Sequence, residues 1–160
     1  MKNLIGVILM MSTFTAHAIA QEQGHLNVTT VVQKEEVTVD AAGEADTRLV
    51  AAETVIPGDV VVYTITFQNI SEDAAENVVI TNPIVDSLTY LDGSAFGPGT
   101  EIQFSVDGGN TYAARDALTI VENGLERPAE AKDFTHIRWV MKQDLPVGAQ
   151  GMARFSAVLK

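Results

Sequence analysis

Apolar and polar residues alternate with a period of two along most of this chain, which is the pattern of half-buried β-strands. The clearest case is Val60–Asn69, where Val61, Tyr63, Ile65 and Phe67 share one face of a strand. Weaker alternation predicts strands over Asn77–Asn82, Ser87–Leu91, Ile102–Val106, Thr135–Met141 and Gly151–Leu159. The single tryptophan, Trp139, falls on an apolar face, so we expect it in the core.

The N-terminal part of the pattern is less regular. His25–Val39 is rich in Val and Thr but is interrupted at Gln33–Glu36, which predicts either one long bent strand or two short ones. The polar stretch Ala41–Thr47, with Gly43, predicts a turn before a strand at Arg48–Val55.

Two further segments look like hairpins. Asp107–Asn110 has the Gly-rich composition of a tight turn. Leu118–Val121 and Leu125–Arg127, joined by Glu122-Asn123-Gly124, predict a small inserted hairpin. Seven to eight antiparallel strands with frequent turns therefore predict an all-β fold, an immunoglobulin-like β-sandwich.

Residues 1–20 have the features of a secretory signal peptide. Lys2 supplies the positive start, Leu4–Met11 is apolar, and Ala18-Ile19-Ala20 provides a cleavage site before Gln21. The apolar run is shorter than the ~20 residues that span a bilayer. We therefore expect one domain over residues 21–160, secreted to the periplasm or the extracellular space and not inserted in a membrane.

Charge and cysteine content exclude several functions. The chain has 10 basic and 21 acidic residues, and loss of Lys2 leaves nine basic residues, hence a net charge of −12. Such a chain repels nucleic acid and anionic membrane surfaces. Because the sequence contains no cysteine, it has no disulfide, thiolate metal site or cysteine nucleophile.

A series of ordered motifs resembles one known family. They are Pro57–Asn69, Ala75–Pro83, Leu88–Ala95, Phe104–Gly109, Ile137–Trp139 and Leu145–Gly148. Over about residues 55–160 they resemble the bacterial and archaeal "conserved repeat" domain, an immunoglobulin-like domain of unknown function numbered eleven in its series. The resemblance implies a secreted or cell-surface module of adhesin-like or envelope proteins. Asn82 stands where that family often has Asp, so a role for that carboxylate does not carry over.

Candidate chemistry is sparse. Only His25 and His136 remain after signal removal, and neither lies in a nucleophile motif such as G-x-S-x-G. We therefore expect no catalytic residues, no cofactor and no enzymatic activity. Asp107 and Asn110 are weak candidates for calcium, because carboxylate and amide oxygens suit that ion.

The expected function is a structural or adhesive module that associates with itself or with another protein. Leu26, Val28, Thr30 and Val32 could pair with another copy by strand addition, or could form the first strand of their own sandwich. The alternative function is a carbohydrate- or protein-binding module that uses loop residues such as Phe96 and Tyr112.

Overall fold

The computed structural model describes residues 26–39 and 41–160. The predicted signal peptide, its cleavage site between Ala20 and Gln21, and His25 lie outside the described residues.

The described chain is all-β, as predicted. Eight strands form two antiparallel sheets, and two more form the small inserted hairpin. The strands are β1 Leu26–Val39, β2 Ala45–Ala51, β3 Val60–Asn69, β4 Val79–Pro83, β5 Leu88–Tyr90, β6 Thr100–Ser105, β7 Thr119–Glu122, β8 Leu125–Pro128, β9 His136–Met141 and β10 Gln150–Leu159. Short 3-10 helices occupy Arg115–Ala117 and Ala131–Asp133.

The larger sheet has the strand order β2-β1-β3-β10-β5, and the smaller has β4-β9-β6. In the larger sheet β3 lies between β1 and β10, with Ile65 opposite both Thr30 and Ala153. The predicted bounds of β3 are confirmed. Its alternation is confirmed too, because Val61, Ile65 and Phe67 are buried.

The two sheets face each other across an aromatic core. Trp139 of β9 is fully buried, and its ring centroid lies 6.2 Å from that of Phe155 on β10. At the β5 end, Tyr90 lies 5.2 Å from Phe104 of β6. These contacts join the larger sheet to the smaller one, so the fold is a β-sandwich.

The sequence was misleading around β2. The structure places Ala45–Thr47 in the strand, although the polar composition predicted a turn, and β2 ends at Ala51 and not at Val55. The reason is the ladder with β1, in which Val39, Thr38 and Val37 pair with Ala45, Asp46 and Thr47. Pairing with an adjacent strand overrides a weak local preference. β1 itself is one continuous strand.

The two sheets differ in width, and this difference determines what is exposed. The larger sheet has five strands and the smaller three. Because β9 packs on β10 through Trp139 and Phe155, and β6 packs on β5 through Phe104 and Tyr90, the β2–β1 side of the larger sheet extends past the smaller one. Within residues 26–39 and 41–160, no helix has the length and apolar character needed to cross a membrane.

Candidate functional site

β1 is paired on one side along its first half and on the other side along its second half. Leu26–Lys34 pairs with β3, and Gln33–Val39 pairs with β2. Only Gln33 and Lys34 have partners on both sides, so β2 and β3 lie on opposite edges of β1. A strand of 14 residues is thus completed on both edges only at its centre.

The first half of β1 therefore has an open edge. On the side of β2, no residue of the described chain pairs with Leu26–Val32. We call this seven-residue edge the notch. A row of backbone N–H and C=O groups without strand partners is a template for pairing with another strand.

The side chains of the notch are partly exposed as well. Val28 points toward the core side, opposite Phe67, yet 40% of it is exposed because the smaller sheet does not extend over β1. Val31 points to the outer face and is 49% exposed. Leu26 and Val32 pack against the edge of the core.

β2 and the second half of β1 form a hairpin. β2 lies on the same edge of β1 as the notch and is next to it along the strand. Near the turn of this hairpin Val37 and Val39 are 61% and 66% exposed. Arg48 on β2 donates to Glu36 on β1 at 2.6 Å, which fixes the two strands across their ladder. Both charged side chains are largely solvated, so this ion pair contributes at most about 1 kcal/mol.

The four residues predicted for strand exchange all lie on one face of β1. Leu26, Val28, Thr30 and Val32 are opposite Asn69, Phe67, Ile65 and Tyr63 of the same chain. They use the β3 edge of β1 for this pairing, which leaves the notch edge for any second partner. Pairing between copies stays a prediction.

Asp107 holds the turn after β6. Its carboxylate accepts hydrogen bonds from the Ser105 hydroxyl, the Asn110 and Thr111 backbone N–H groups, and the Thr111 hydroxyl. These donors hold the pKa of Asp107 well below its usual range, chiefly through the Thr111 hydroxyl. Asn110 donates from its side chain to the Asp107 carbonyl. Calcium binding at these two residues stays a prediction, and both already have roles in the turn.

Phe96 and Tyr112 do not form one surface. Phe96 bridges to Arg154 of β10, whose side chain points away from the core, and is 50% exposed on the outer face of the larger sheet. Tyr112 lies over the outer face of the smaller sheet, with the Arg138 guanidinium carbon 4.0 Å from its ring centroid. The two aromatic side chains are therefore on opposite sides of the sandwich.

Arg138 was not singled out from the sequence. Its Nε donates to Gln103 Oε1 at 3.1 Å, its Nη2 donates to the same oxygen, and Tyr112 covers its guanidinium. No carboxylate of residues 26–39 and 41–160 forms an ion pair with it, whereas Arg48, Arg115 and Arg127 are ion-paired. The alternation that places Trp139 toward the core also places Arg138 on the outer face. This alternation is the sequence feature from which an exposed Arg138 could have been predicted.

His136 lies beside Arg138 on the same outer face. Burial lowers its pKa, and its Nδ1 is 3.2 Å from the Thr135 hydroxyl. In the part of the chain that the structure describes, His, Asp and Glu side chains form no group of three that could hold a metal ion.

Comparison with known proteins adds no assignment. No family model, curated protein or solved structure matches the chain. The resemblance to the conserved repeat domain stays a prediction.

Proposed function

We propose that this protein is an exported structural or adhesive subunit without enzymatic activity, which assembles with other protein chains through the open strand edges of β1 and β2. The observation that supports this proposal most directly is the notch, the unpaired edge of Leu26–Val32. A secreted protein built to stay monomeric protects such edges with charge, proline or a covering loop.

Charge and proline, two of these protections, are absent from the notch. Its seven residues, Leu-Asn-Val-Thr-Thr-Val-Val, include no charged residue, proline or glycine, although the chain carries 31 charged residues in total (10 basic and 21 acidic). β-Branched residues are five of the seven, and these favour extended backbone. Strand addition at such an edge gives affinity through backbone hydrogen bonds.

The proposed location is outside the cytoplasm, in the periplasm or on the cell exterior. It rests on the leader-like composition of residues 1–20 and on the acidic composition. In this location the protein would serve as a subunit of the extracellular matrix or of the cell envelope.

The test uses the protein recovered from its natural exported fraction. We expect its N-terminal residue to be Gln21, and we expect light scattering after size-exclusion chromatography to show a mass above that of one chain. Electron microscopy then shows whether the assembly is closed or extended. A protein that begins at Met1, or that stays monomeric at millimolar concentration, contradicts the proposal.

The second candidate function is carbohydrate binding on the outer face of the smaller sheet. The observation in its favour is the pairing of half-buried Tyr112 with Arg138, a guanidinium held in place without a carboxylate partner among the described residues. A glycan array should then show binding that is lost in Tyr112→Ala and kept in Phe96→Ala, which lies on the opposite face. Equal binding by both variants contradicts this candidate.

A further inference from the structure

We propose that two copies of this chain form a two-fold symmetric dimer in which the β2 strand of each copy fills the notch of the other. This inference rests on the proposed assembly through strand edges, and it specifies the partner and the register. In the dimer one continuous sheet would run β5-β10-β3-β1, then a shared row holding both β2 strands end to end, then β1-β3-β10-β5 of the second copy.

The lengths agree. The notch spans seven residues, Leu26–Val32, and β2 spans seven residues, Ala45–Ala51. β2 also has a free outer edge, because it pairs with β1 alone in the described chain. One contact made twice therefore covers the notch and the outer edge of β2 in each copy.

The position of β2 makes the contact reciprocal. In its own copy β2 occupies the row next to β1, but only beside Gln33–Val39. In the rest of that row, beside Leu26–Val32, no strand of the described chain pairs with β1. A two-fold axis normal to the sheet at the level of Val32 places the second β2 in this unpaired half, and places the first β2 in the unpaired half of the second copy. Symmetric, self-complementary contacts of this kind are the commonest way for identical chains to pair.

The direction and register follow from the axis. β2 runs antiparallel to its own β1, and the rotation makes it run parallel to the β1 of the other copy. Side chains of adjacent strands must share a face, which allows only even shifts. The shift with least crowding leaves one row, that of Val32, between the two strand ends. It sets Thr29 beside Leu49 of the second copy and Val31 beside Ala51 of the second copy, so that Asp46–Ala51 pair with Leu26–Val31, six of the seven notch residues.

The side chains at this register are compatible. On the outer face the half-exposed Val31 gains Leu49 and Ala51 as apolar neighbours. Ala51 and Ala52, where the two β2 strands meet, are small. The notch has no charge that would face Asp46 or Arg48. The smaller sheets do not extend over β1 and β2, so both lie clear of the new contact.

Introduced cysteines test the register directly, because the natural chain has none. Adjacent strands are about 4.8 Å apart, which suits a disulfide. We expect Thr29→Cys and Leu49→Cys proteins, mixed under mild oxidation, to form a covalent dimer. Either one alone should not, because the like residues of two copies are about 20 Å apart in this arrangement, six residues along the strand. Val31→Cys with Ala51→Cys is the second pair.

A matched pair of charge variants tests the same contact without oxidation. Val31→Lys places a charge on the notch and should raise the dimer dissociation constant at least 10-fold. Val37→Lys makes the same change on the same strand, at a site that this dimer leaves solvated, and should leave the constant unchanged.

The outcomes separate this inference from the function on which it rests. A protein that is monomeric in light scattering overturns both. Assembly with efficient Thr29→Cys self-crosslinking overturns only the dimer geometry, because it shows that the two β1 strands pair directly. Assembly that is insensitive to Val31→Lys and yields neither mixed disulfide also overturns this dimer alone.

Discussion

Gly151 on β10 is the position at which the smallest substitution should have the largest effect. It pairs with Phe67 of β3, and the Phe67 ring lies across it. A methyl group at Gly151 would lie 2.2 Å from both Cε2 and Cζ of that ring. Ordinary carbon contacts are about 3.5–4.0 Å, so the ring would have to move by well over 1 Å. Phe67 is 1% exposed, so the ring is surrounded by other parts of the protein and cannot move out into solvent without leaving the core.

We therefore expect Gly151→Ala to lower the free energy of unfolding by about 3 kcal/mol, the upper end of the range for overpacked cores. With a urea m-value of about 2 kcal/mol/M, the midpoint of unfolding falls by about 1.5 M. The measurement is urea unfolding followed by Trp139 fluorescence. Since the φ of Gly151 lies outside the left-handed region, the cost is steric and not a matter of backbone strain.

Two variants make this test specific. Phe67→Leu removes the two ring atoms that clash, so the double variant should be more stable than the sum of the single effects predicts, by at least 1 kcal/mol. Gly148→Ala is the control, because Gly148 has a φ of +73° and no atom near the added methyl group. Its cost of about 1–2 kcal/mol comes from the backbone and should be independent of Phe67. An unchanged midpoint in Gly151→Ala, or a purely additive double variant, refutes the steric argument.

Three further predictions concern polar contacts. Asn69→Ala should cost about 1–3 kcal/mol in urea unfolding, because the fully buried amide donates to the Asp73 and Leu145 carbonyls; an effect below 0.5 kcal/mol contradicts this. The lowered pKa of Asp107 means that its contribution to stability is full above the unfolded pKa, near 4, and is lost as the pH falls toward the folded pKa. Unfolding midpoints at pH 7 and pH 3 should therefore differ more in the wild type than in Asp107→Asn. Arg127 joins Glu122 of β7 to Asp133 at 2.8 and 2.7 Å, so Arg127→Ala should speed amide hydrogen exchange in the β7–β8 hairpin and leave β3 unchanged.

The sequence predicted the faces of the strands well, because a period of two depends only on which side of a strand faces the core. Phe67 and Trp139 could be placed inward from alternation alone, and both are buried. Val28 lies opposite the buried Phe67 on the same face of the sheet, and it is nevertheless 40% exposed. Alternation records the face of a strand but carries no information on the width of the opposite sheet, which is what leaves Val28 uncovered.

The candidate site was less accessible from the sequence for a related reason. The alternating residues Leu26, Val28, Thr30 and Val32 indicated a segment for strand pairing, but an open edge depends on where β2 ends relative to β1. That end was predicted at Val55 and lies at Ala51. A strand continuing to Val55 would run along the edge that the structure leaves open. Whether the edge is protected or open therefore depends on a shift of four residues in the end of β2. The ends of strands are the features that sequence patterns predict least reliably.

The hairpin of β1 and β2 also explains why assembly and local order should be linked. Its two strands extend past the smaller sheet and share few residues with the core, and a two-stranded hairpin alone is marginally stable in water. In the proposed dimer β2 lies between two β1 strands, so its backbone is paired on both edges. Amide exchange in Ala45–Ala51 should then slow as protein concentration rises, whereas exchange in β3, already paired on both sides within one copy, should not change. Concentration-independent exchange in β2, measured above and below the dimer dissociation constant, contradicts the link.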